Sequence, residues 1–351
     1  MLSLYLHIPF CRRKCAYCAF YSAPADDQTK DRYLGAMTKS LQAAGGKTLD
    51  TLYLGGGTPA LLGVERLQAL LEQVNRCFSF APDAERTVEL NPESTTPQLL
   101  QMLGRQGINR ISLGVQSLND HELQTLGRLH NGAGALEALK MILEAGFTNL
   151  SVDVMFGLPG QRAQSFGKTL DTLLSYPITH LSAYSLQLEP GTPLGDEARP
   201  MEEEQEEGLW LLLCQKAKEA GFEHYEISNF ARPGFAARHN TAYWKGTDYI
   251  GLGPAAHSYY QGVRYAFNDS LEDFCRAPWP LQNPQPISEQ EAKEERIMLG
   301  LRLQEGVALS ELPAGFDPAR YAPFSRLRQG RFALNERGFY LSNTIIAEIL
   351  R

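Results

Sequence analysis

Short apolar runs recur along this chain. Between them, apolar residues return at the three-to-four spacing of one helix face. Residues 3–8 form the first run, and a helical pattern over 30–43 follows with Leu34, Met37 and Leu41 on one side. The spacing predicts further strands over 51–54, 87–90, 110–115, 150–155 and 180–186, and one more over 223–227. Helical stripes lie between them. They are Val64, Leu67, Leu70, Leu71 and Val74; Leu99, Leu100 and Leu103; Ala135, Leu136, Leu139, Ile142 and Leu143; and Leu209, Leu212 and Leu213. Strands alternating with helices build a parallel sheet with right-handed crossovers. About six such units suit an α/β fold of the open, partial (β/α)6 TIM-like kind, with its chemistry at the C-terminal ends of the strands.

Two composition shifts mark boundaries. Residues 189–205 hold Pro190, Pro193 and Pro200 and the acidic run Glu202, Glu203 and Glu204, which reads as an elaborated loop and a solvated helix start. Residues 277–287 hold Pro278, Pro280, Pro284 and Pro286, which reads as a linker or a chain draped over the surface. Ser288 and Glu291 then have the spacing of a capping box, opening a helix through Met298 and Leu301. Runs over 331–334 and 339–341 flank a turn over 335–338, a hairpin signal, and Ile345, Ile346 and Ile349 mark a last helix. Helices around a hairpin predict a small winged-helix-like α+β domain over 288–351. It follows a barrel over 1–222 and an extension with linker over 223–287. No solenoid-type internal repeat is visible.

Composition narrows the classes. A chain of 351 residues suits one large domain with a small one, or two of medium size, and 43% hydrophobic residues suffice for a core. The net charge of −7 argues against a nucleic-acid-binding face, apart from the local basic patch Arg12, Arg13 and Lys14. No stretch approaches the apolar length of a membrane span. Residues 1–10 are too short for the apolar core of a signal peptide. Cys77, Cys214 and Cys275 are scattered and form no disulfide framework. The reading is a soluble protein of a reducing cytoplasm.

The other three cysteines change the picture. Cys11, Cys15 and Cys18 stand as C-x3-C-x2-C, close enough in sequence to converge on one centre. Thiolate is a soft ligand that selects iron–sulfur clusters, zinc or copper(I). A closed structural site normally uses four protein ligands, whereas a reactive one keeps a position open. Phe20 stands where a C-x-C continuation would put a fourth cysteine. Three cysteines on a four-iron cluster would leave one iron open to a ligand; a zinc knot with His7 as fourth ligand is the alternative. Gly55, Gly56 and Gly57 follow the second strand, where backbone can approach a ligand closely, or simply turn. Glu89, Gln116, Arg128 and Asp153 place polar groups in or beside apolar strands. Such groups are costly to bury unless paired. They form either a satisfied core network or a polar ligand site, with carboxylates for an amine or hydroxyls and an arginine for a carboxylate.

Residues 5–20, with Tyr17 before the third cysteine, resemble the signature of the radical S-adenosylmethionine (SAM) superfamily. The resemblance implies a 4Fe-4S cluster held by three cysteines. The open iron chelates SAM, and an electron from the cluster cleaves the sulfonium to a 5′-deoxyadenosyl radical. Residues 55–59 resemble that superfamily's GGGTP segment. Residues 89–93, 112–117 and 152–160 resemble its oxygen-independent coproporphyrinogen III oxidase branch, in order, from residue 3 to about residue 260. By that resemblance SAM would contact Tyr5, Gly57, Thr58, Glu89, Gln116, Arg128 and Asp153.

Two departures matter. The oxidase carries a further, non-ligating cysteine where this chain has Phe20, and a longer extension ahead of its cluster motif. Both departures match a sister group, the HemW-type haem chaperones. Residues 239–244 spell HNxxYW, which resembles that group's haem-binding motif, flanked as in that branch by 226–230 and 251–258. His239 would ligate haem iron, with Tyr243 and Trp244 supplying flat apolar surface, and His257 is a second candidate. From chemistry alone, a packed and hydrogen-bonded histidine is the alternative.

The function implied is a chaperone that binds haem, uses a SAM-bearing cluster in an oligomeric or gating role, and hands haem to apo-proteins. The rival from the same branch is a radical decarboxylase acting on coproporphyrinogen, against which Phe20 and the short N-terminal segment weigh. A binding module with a structural metal is a third reading, which the full SAM constellation opposes. Whether the protein is an enzyme stays open. The sister group makes dimerisation and peripheral membrane contact reasonable; no nucleic-acid partner is expected.

Overall fold

The computed structural model describes residues 1–279 and 283–351. Its first half alternates strand and helix. Strands β1 (Leu2–Ile8), β2 (Thr48–Gly56), β3 (Ser79–Leu90), β4 (Arg110–Gln116), β5 (Asn149–Phe156) and β6 (His180–Ser185) pair in that order, all parallel. Between them run α1 (Asp27–Ala44), α2 (Val64–Cys77), α3 (Pro97–Arg105), α4 (Asp120–Thr125), α5 (Gly132–Glu144) and α6 (Ala163–Leu174). This is the half-open α/β barrel that the periodicity predicts. Residues 189–205 contribute the short α7 (Pro193–Glu197) and the start of α8 (Glu203–Glu219).

The sheet is larger than six strands. Beyond β6 lie β7 (Glu223–Glu226) and β8 (Asn229–Ala231), antiparallel. After α9 (Arg238–Trp244) the chain returns to the opposite edge, where β9 (Asp248–Leu252) pairs parallel with β1. Antiparallel β10 (His257–Tyr260), β11 (Val263–Ala266) and, after α10 (Leu271–Arg276), β12 (Gln285–Pro286) continue from it, giving twelve strands among the described residues. Strands this short carry little periodic signal, which is why sequence pattern predicts only the first of them, β7. The proline-rich stretch contributes β12 and the Pro278 carbonyl that accepts a hydrogen bond from Ser40, while residues 280–282 lie outside the described residues.

Alternation along the strands separates two faces. Leu4, Leu6, Ile8, Leu52, Leu54, Val88, Leu90, Ile111, Leu113, Val152, Val154 and Leu181 are buried in one core with the apolar stripes of the helices. The opposite face is polar: Ser3, Tyr5 and His7; Thr51 and Tyr53; Glu85, Thr87 and Glu89; Arg110 and Ser112; Ser151 and Asp153; His180 and Ser182. A polar face inside a half barrel is costly unless paired, and much of it is paired across strands, although Ser3, Thr87 and Arg110 Nε are not. Tyr53 donates to Glu89 at 2.8 Å, Ser112 donates to Asp153 at 3.0 Å, and the Ser151 hydroxyl pairs with His180 Nδ1 at 2.8 Å.

Helix α9 closes the N-terminal end of this lumen. Glu85 accepts the Arg238 amide at 3.0 Å and the His239 amide at 2.9 Å, so one carboxylate caps the helix. The Thr51 hydroxyl pairs with His239 Nδ1 at 2.7 Å, and the imidazole stacks on Tyr53 with ring centroids 4.9 Å apart.

The C-terminal region opens with α11 (Glu289–Gly300), capped by the expected Ser288–Glu291 box. A three-stranded antiparallel sheet follows: β13 (Val307–Ala308), β14 (Ser325–Arg328) and β15 (Arg331–Leu334), in the order 13-15-14. The hairpin differs from expectation. It joins β14 to β15 through Gln329 (φ 52°) and Gly330 (φ 75°), the left-handed pair of a tight two-residue turn. The run over 339–341 is not its second strand. Asn335 accepts the Gly338 amide and starts α12 (Glu336–Tyr340), which α13 (Ser342–Ile349) follows. A three-residue apolar run fits strand and helix alike, and the N-cap decides. Among the described residues, no helix is long and apolar enough to cross a membrane.

Removing the Glu85 carboxylate strands two buried amides. Glu85→Ala is expected to destabilise the fold by about 2–4 kcal/mol in denaturant unfolding. A loss under about 0.5 kcal/mol would show that α9 holds its place without this cap.

Candidate functional site

The cysteine loop leaves the C-terminal end of β1. Its base is closed by Ala23 N–H to Pro9 O at 2.7 Å and Cys11 N–H to Ala23 O at 3.3 Å, and Cys18 N–H folds back to Cys15 O at 3.2 Å. Neighbouring loops hold it in place. Ala16 N–H donates to Leu126 O at 3.0 Å, Arg13 donates to Gly127 O at 2.8 Å, and Leu194 N–H of α7 donates to Ala16 O at 2.9 Å. Tyr17 packs on Leu126, Met155 and Leu158. Burial pushes the Cys18 thiol up, and the thiols of Cys15 and Cys11 add to the shift, so the three lie in one another's field. Arg128 reaches the same place, its Nη1 3.6 Å from Cys15 Sγ.

The zinc-knot alternative lacks its fourth ligand. His7 is buried, with Nδ1 paired to the Tyr5 hydroxyl and Nε2 to Tyr21 O, both at 3.0 Å. Among the described residues, no group of three His, Cys, Asp or Glu side chains is close enough to hold a single metal ion.

The glycine loop after β2 lies against the cysteine loop. Gly57 N–H donates to Ile8 O at 2.9 Å and Thr58 N–H to Phe10 O at 2.7 Å. A Cβ on Gly57 would stand 2.7 Å from Phe10 O, and one on Gly55 2.7 Å from the Glu89 carboxyl, so side chains are excluded there. The Thr58 hydroxyl lies 4.0 Å from Cys11 Sγ and accepts from Asn91 Nδ2 at 2.8 Å. Asn91 Oδ1 in turn accepts from Arg128 Nη2 at 2.6 Å, and the same guanidinium nitrogen donates to Gly114 O at 2.7 Å. A Cβ on Gly114 would meet Asn91, Gln116 and Arg128 within 3.0–3.2 Å, so these three polar groups converge there. Gln116 has φ 66° at a break in the β4–β5 register, a left-handed residue ending the strand at the barrel mouth.

Two carboxyls lie deeper. Glu89 accepts from Tyr53 and from Gly56 N–H at 3.1 Å; burial pushes its pKa up to about 7, with the Asp153 charge adding to the shift. Burial also raises Asp153, against the pull of its hydrogen bonds from Ser182 and Ser112 and of the Arg110 and Arg128 charges. Thr58, Gln116 and Arg128 therefore meet beside the cysteines, Glu89 and Asp153 share one field below them, and Tyr5 stands on β1, paired with Tyr53 of β2. Asn91, Tyr53 and Ser112 are additions that sequence reasoning did not single out. Asn91 sits within the 89–93 segment, but its link between Thr58 and Arg128 exists only once three strand ends are assembled.

His239 lies where α9 closes the lumen. It is 1% exposed, both ring nitrogens are engaged, Nε2 with the Tyr243 hydroxyl at 2.9 Å, and burial pushes its pKa down to about 3. Trp244 lies under the Arg302 guanidinium. Tyr243, by contrast, lines a cleft of about 610 Å³ that runs from Phe20 and Tyr21 of the cysteine loop to His257 and α11.

The raised pKa of Glu89 sets the sign of a pH effect. The folded protein holds this proton more tightly than the unfolded chain, so stability falls as pH rises from about 4.5 to about 7. In the cofactor-free protein Glu89→Gln is expected to make that decline shallower, leaving the contributions of Glu226, which burial also pushes up to about 7, and of Asp153. Unfolding midpoints measured across this range check it, and an unchanged slope would place the titration elsewhere.

Comparison with known proteins agrees with this geometry. The Radical SAM superfamily model matches residues 5–173. A protein from Mycobacterium tuberculosis named heme chaperone HemW is 34% identical, covering 99% of this chain and 94% of its own. The Bacillus subtilis protein of that name is 35% identical over 88% of this chain and 85% of its own. In fold, coproporphyrinogen III oxidase (HemN) from Escherichia coli is similar at a TM-score of 0.83 and 22% identity, over 99% of this chain and 89% of that one. Cysteine loop, glycine loop and relatives agree: this chain belongs to the HemW family of the radical SAM superfamily.

Proposed function

We propose that this protein binds haem and delivers it to apo-proteins, and that it carries a 4Fe-4S cluster on Cys11, Cys15 and Cys18 with SAM at the open iron. The observation that carries the haem reading is the tyrosine-walled cleft beside the cysteine loop, in a chain related over nearly all its length to proteins named heme chaperone. The cluster, when bound, supplies an electron to the SAM sulfonium.

The residues present suit that cofactor pair. Arg128 is half-buried and its buried Nε has no partner among the described residues, a donor that a ligand carboxylate would complete. Gly57 and Thr58 offer backbone and hydroxyl beside Cys11, and Gln116 adds an amide from the β4 end. Glu89 and Asp153, held high by burial, would ionise next to a ligand cation or accept from ribose hydroxyls. Tyr5 walls the site on the cleft side. The proposed organisation is a cofactor-bearing barrel over 1–222, an extension over 223–287 that carries α9 and the cleft strands, and a winged-helix-like domain over 288–351. The protein is proposed to act in the cytoplasm, and dimerisation and membrane contact are left to measurement.

Arg128→Ala removes the guanidinium from the cysteine side of the site. SAM affinity of the reconstituted protein is expected to fall at least about tenfold in equilibrium binding, with iron and sulfide content retained. Unchanged affinity would remove Arg128 from the site.

The function itself is tested by anaerobic reconstitution, followed by haem titration and transfer to an apo-protein, with a parallel incubation with SAM, reductant and coproporphyrinogen. Haem binding and transfer without decarboxylated product is the expected result. Product formation would favour the oxidase reading, and zinc without labile sulfide would overturn the cluster.

A further inference from the structure

The polar face of the barrel carries one charge that no protein group neutralises at close range. We propose that Arg110, toward the closed end of the lumen, binds a small monovalent oxyanion of the carboxylate or bicarbonate kind, with the Thr87 hydroxyl as a further donor. Such a site would stand whether or not the protein carries haem.

Arg110 opens β4 and is among the largest fully buried side chains, at 2% exposure. Its Nε is buried without a partner, and no guanidinium nitrogen makes a hydrogen bond or ion pair among the described residues. Its charge nonetheless reaches all round the lumen. Burial raises Glu89 and Asp153, and the Arg110 charge pulls both back. Burial lowers His180 and His239, and the same charge lowers them further. Groups on β3, β5, β6 and α9 thus share one cation.

The carboxyls of the lumen are engaged elsewhere. Glu85 accepts the Arg238 and His239 amides, Glu89 accepts from Tyr53 and from Gly56 N–H, and Asp153 accepts from Ser112. The imidazoles are engaged too. His180 pairs with Ser151 and Tyr225, and His239 with Thr51 and Tyr243. A buried charge is retained at low cost only when it is paired and hydrogen-bonded. Arg110 has neither kind of partner within the protein, so an anion that enters the lumen supplies both.

The donors define the ligand. A guanidinium only donates, and two parallel N–H groups suit a planar group with two oxygens on one side. Thr87 stands opposite Arg110 in the β3–β4 register, and its hydroxyl is also buried without a partner. The charge of the ligand follows from the layer above. Two residues on, on the same face, Glu89 stands opposite Ser112, which donates to Asp153. One cation beneath two carboxyls suits a monoanion, whereas a dianion would set surplus negative charge against them. The same layer lies between Arg110 and the cysteine loop, so this site is distinct from the residues proposed for SAM.

The test titrates the reconstituted full-length protein with formate, bicarbonate and sulfate, at an ionic strength held constant with the bulky sulfonate HEPES. Two readouts are taken, the heat of binding and the denaturant unfolding midpoint. The wild type is expected to bind one formate or bicarbonate per chain, with a midpoint that rises with anion concentration, and to bind sulfate at least about tenfold more weakly. Arg110→Gln should weaken formate binding at least about tenfold, and Thr87→Val should weaken it by a smaller factor. Should Arg110→Gln not fold, the wild type and Thr87→Val decide. A wild type with neither a saturable heat nor a rising midpoint overturns the site. Formate binding unchanged in the folded variants places the anion elsewhere and overturns it too, and sulfate binding as tight as formate overturns the monoanion assignment.

Discussion

A parallel sheet with one polar face is stable only if most groups on that face find partners, and this requirement shapes the molecule. Parallel sheets normally bury apolar side chains on both sides. Here the outer side does so against helices, while the inner side carries hydroxyls, carboxyls, an arginine and imidazoles. Each is costly to bury alone. Cross-strand pairs such as Tyr53–Glu89, Ser112–Asp153 and Ser151–His180 satisfy many of them, and α9 satisfies others by bringing amides to Glu85 and an imidazole to Thr51. Some groups stay unpartnered: Ser3, Thr87 and Arg110 Nε toward the N-terminal ends of the strands, and Arg128 Nε at the mouth, where a ligand could complete it.

The same economy explains how a cysteine loop with little regular structure is held. Its contacts come from three directions: the glycine loop beneath it, the Leu126–Arg128 segment beside it, and α7 above. Asn91 joins two of these by accepting from Arg128 and donating to Thr58. A loop held this way presents its thiols on a rigid support although it has no helix or strand of its own, which is what an open coordination site needs.

Beside that site, the sheet continues past β1 through β9 to β12, and α11 packs across the opening. The cleft is therefore a product of chain return: residues near 20, 243, 257 and 296 meet only because β9 joins the first strand rather than the last. The HNxxYW segment reaches this cleft from below: its histidine pairs with Thr51 and Tyr243, and Tyr243 lines the cavity.

The barrel was legible in the chain. Alternating apolar runs and helical stripes are local signals, and so are the cysteine spacing, the glycine triplet and the Ser288 capping box. Family resemblance pointed to polar residues on several strands, and the fold brings Thr58, Gln116 and Arg128 of these together near the cysteine loop. What local pattern left undecided were features that depend on distant partners. The antiparallel edges are too short to show a period, and the run over 339–341 became helical because Asn335 caps it. His239 and His257 illustrate the limit most sharply. Both are lone histidines near aromatics in sequence, and nothing within a few residues of either tells which is covered. Burial is a property of what packs on a side chain from elsewhere, here Thr51, Tyr53 and Glu85 on one imidazole and open cleft on the other.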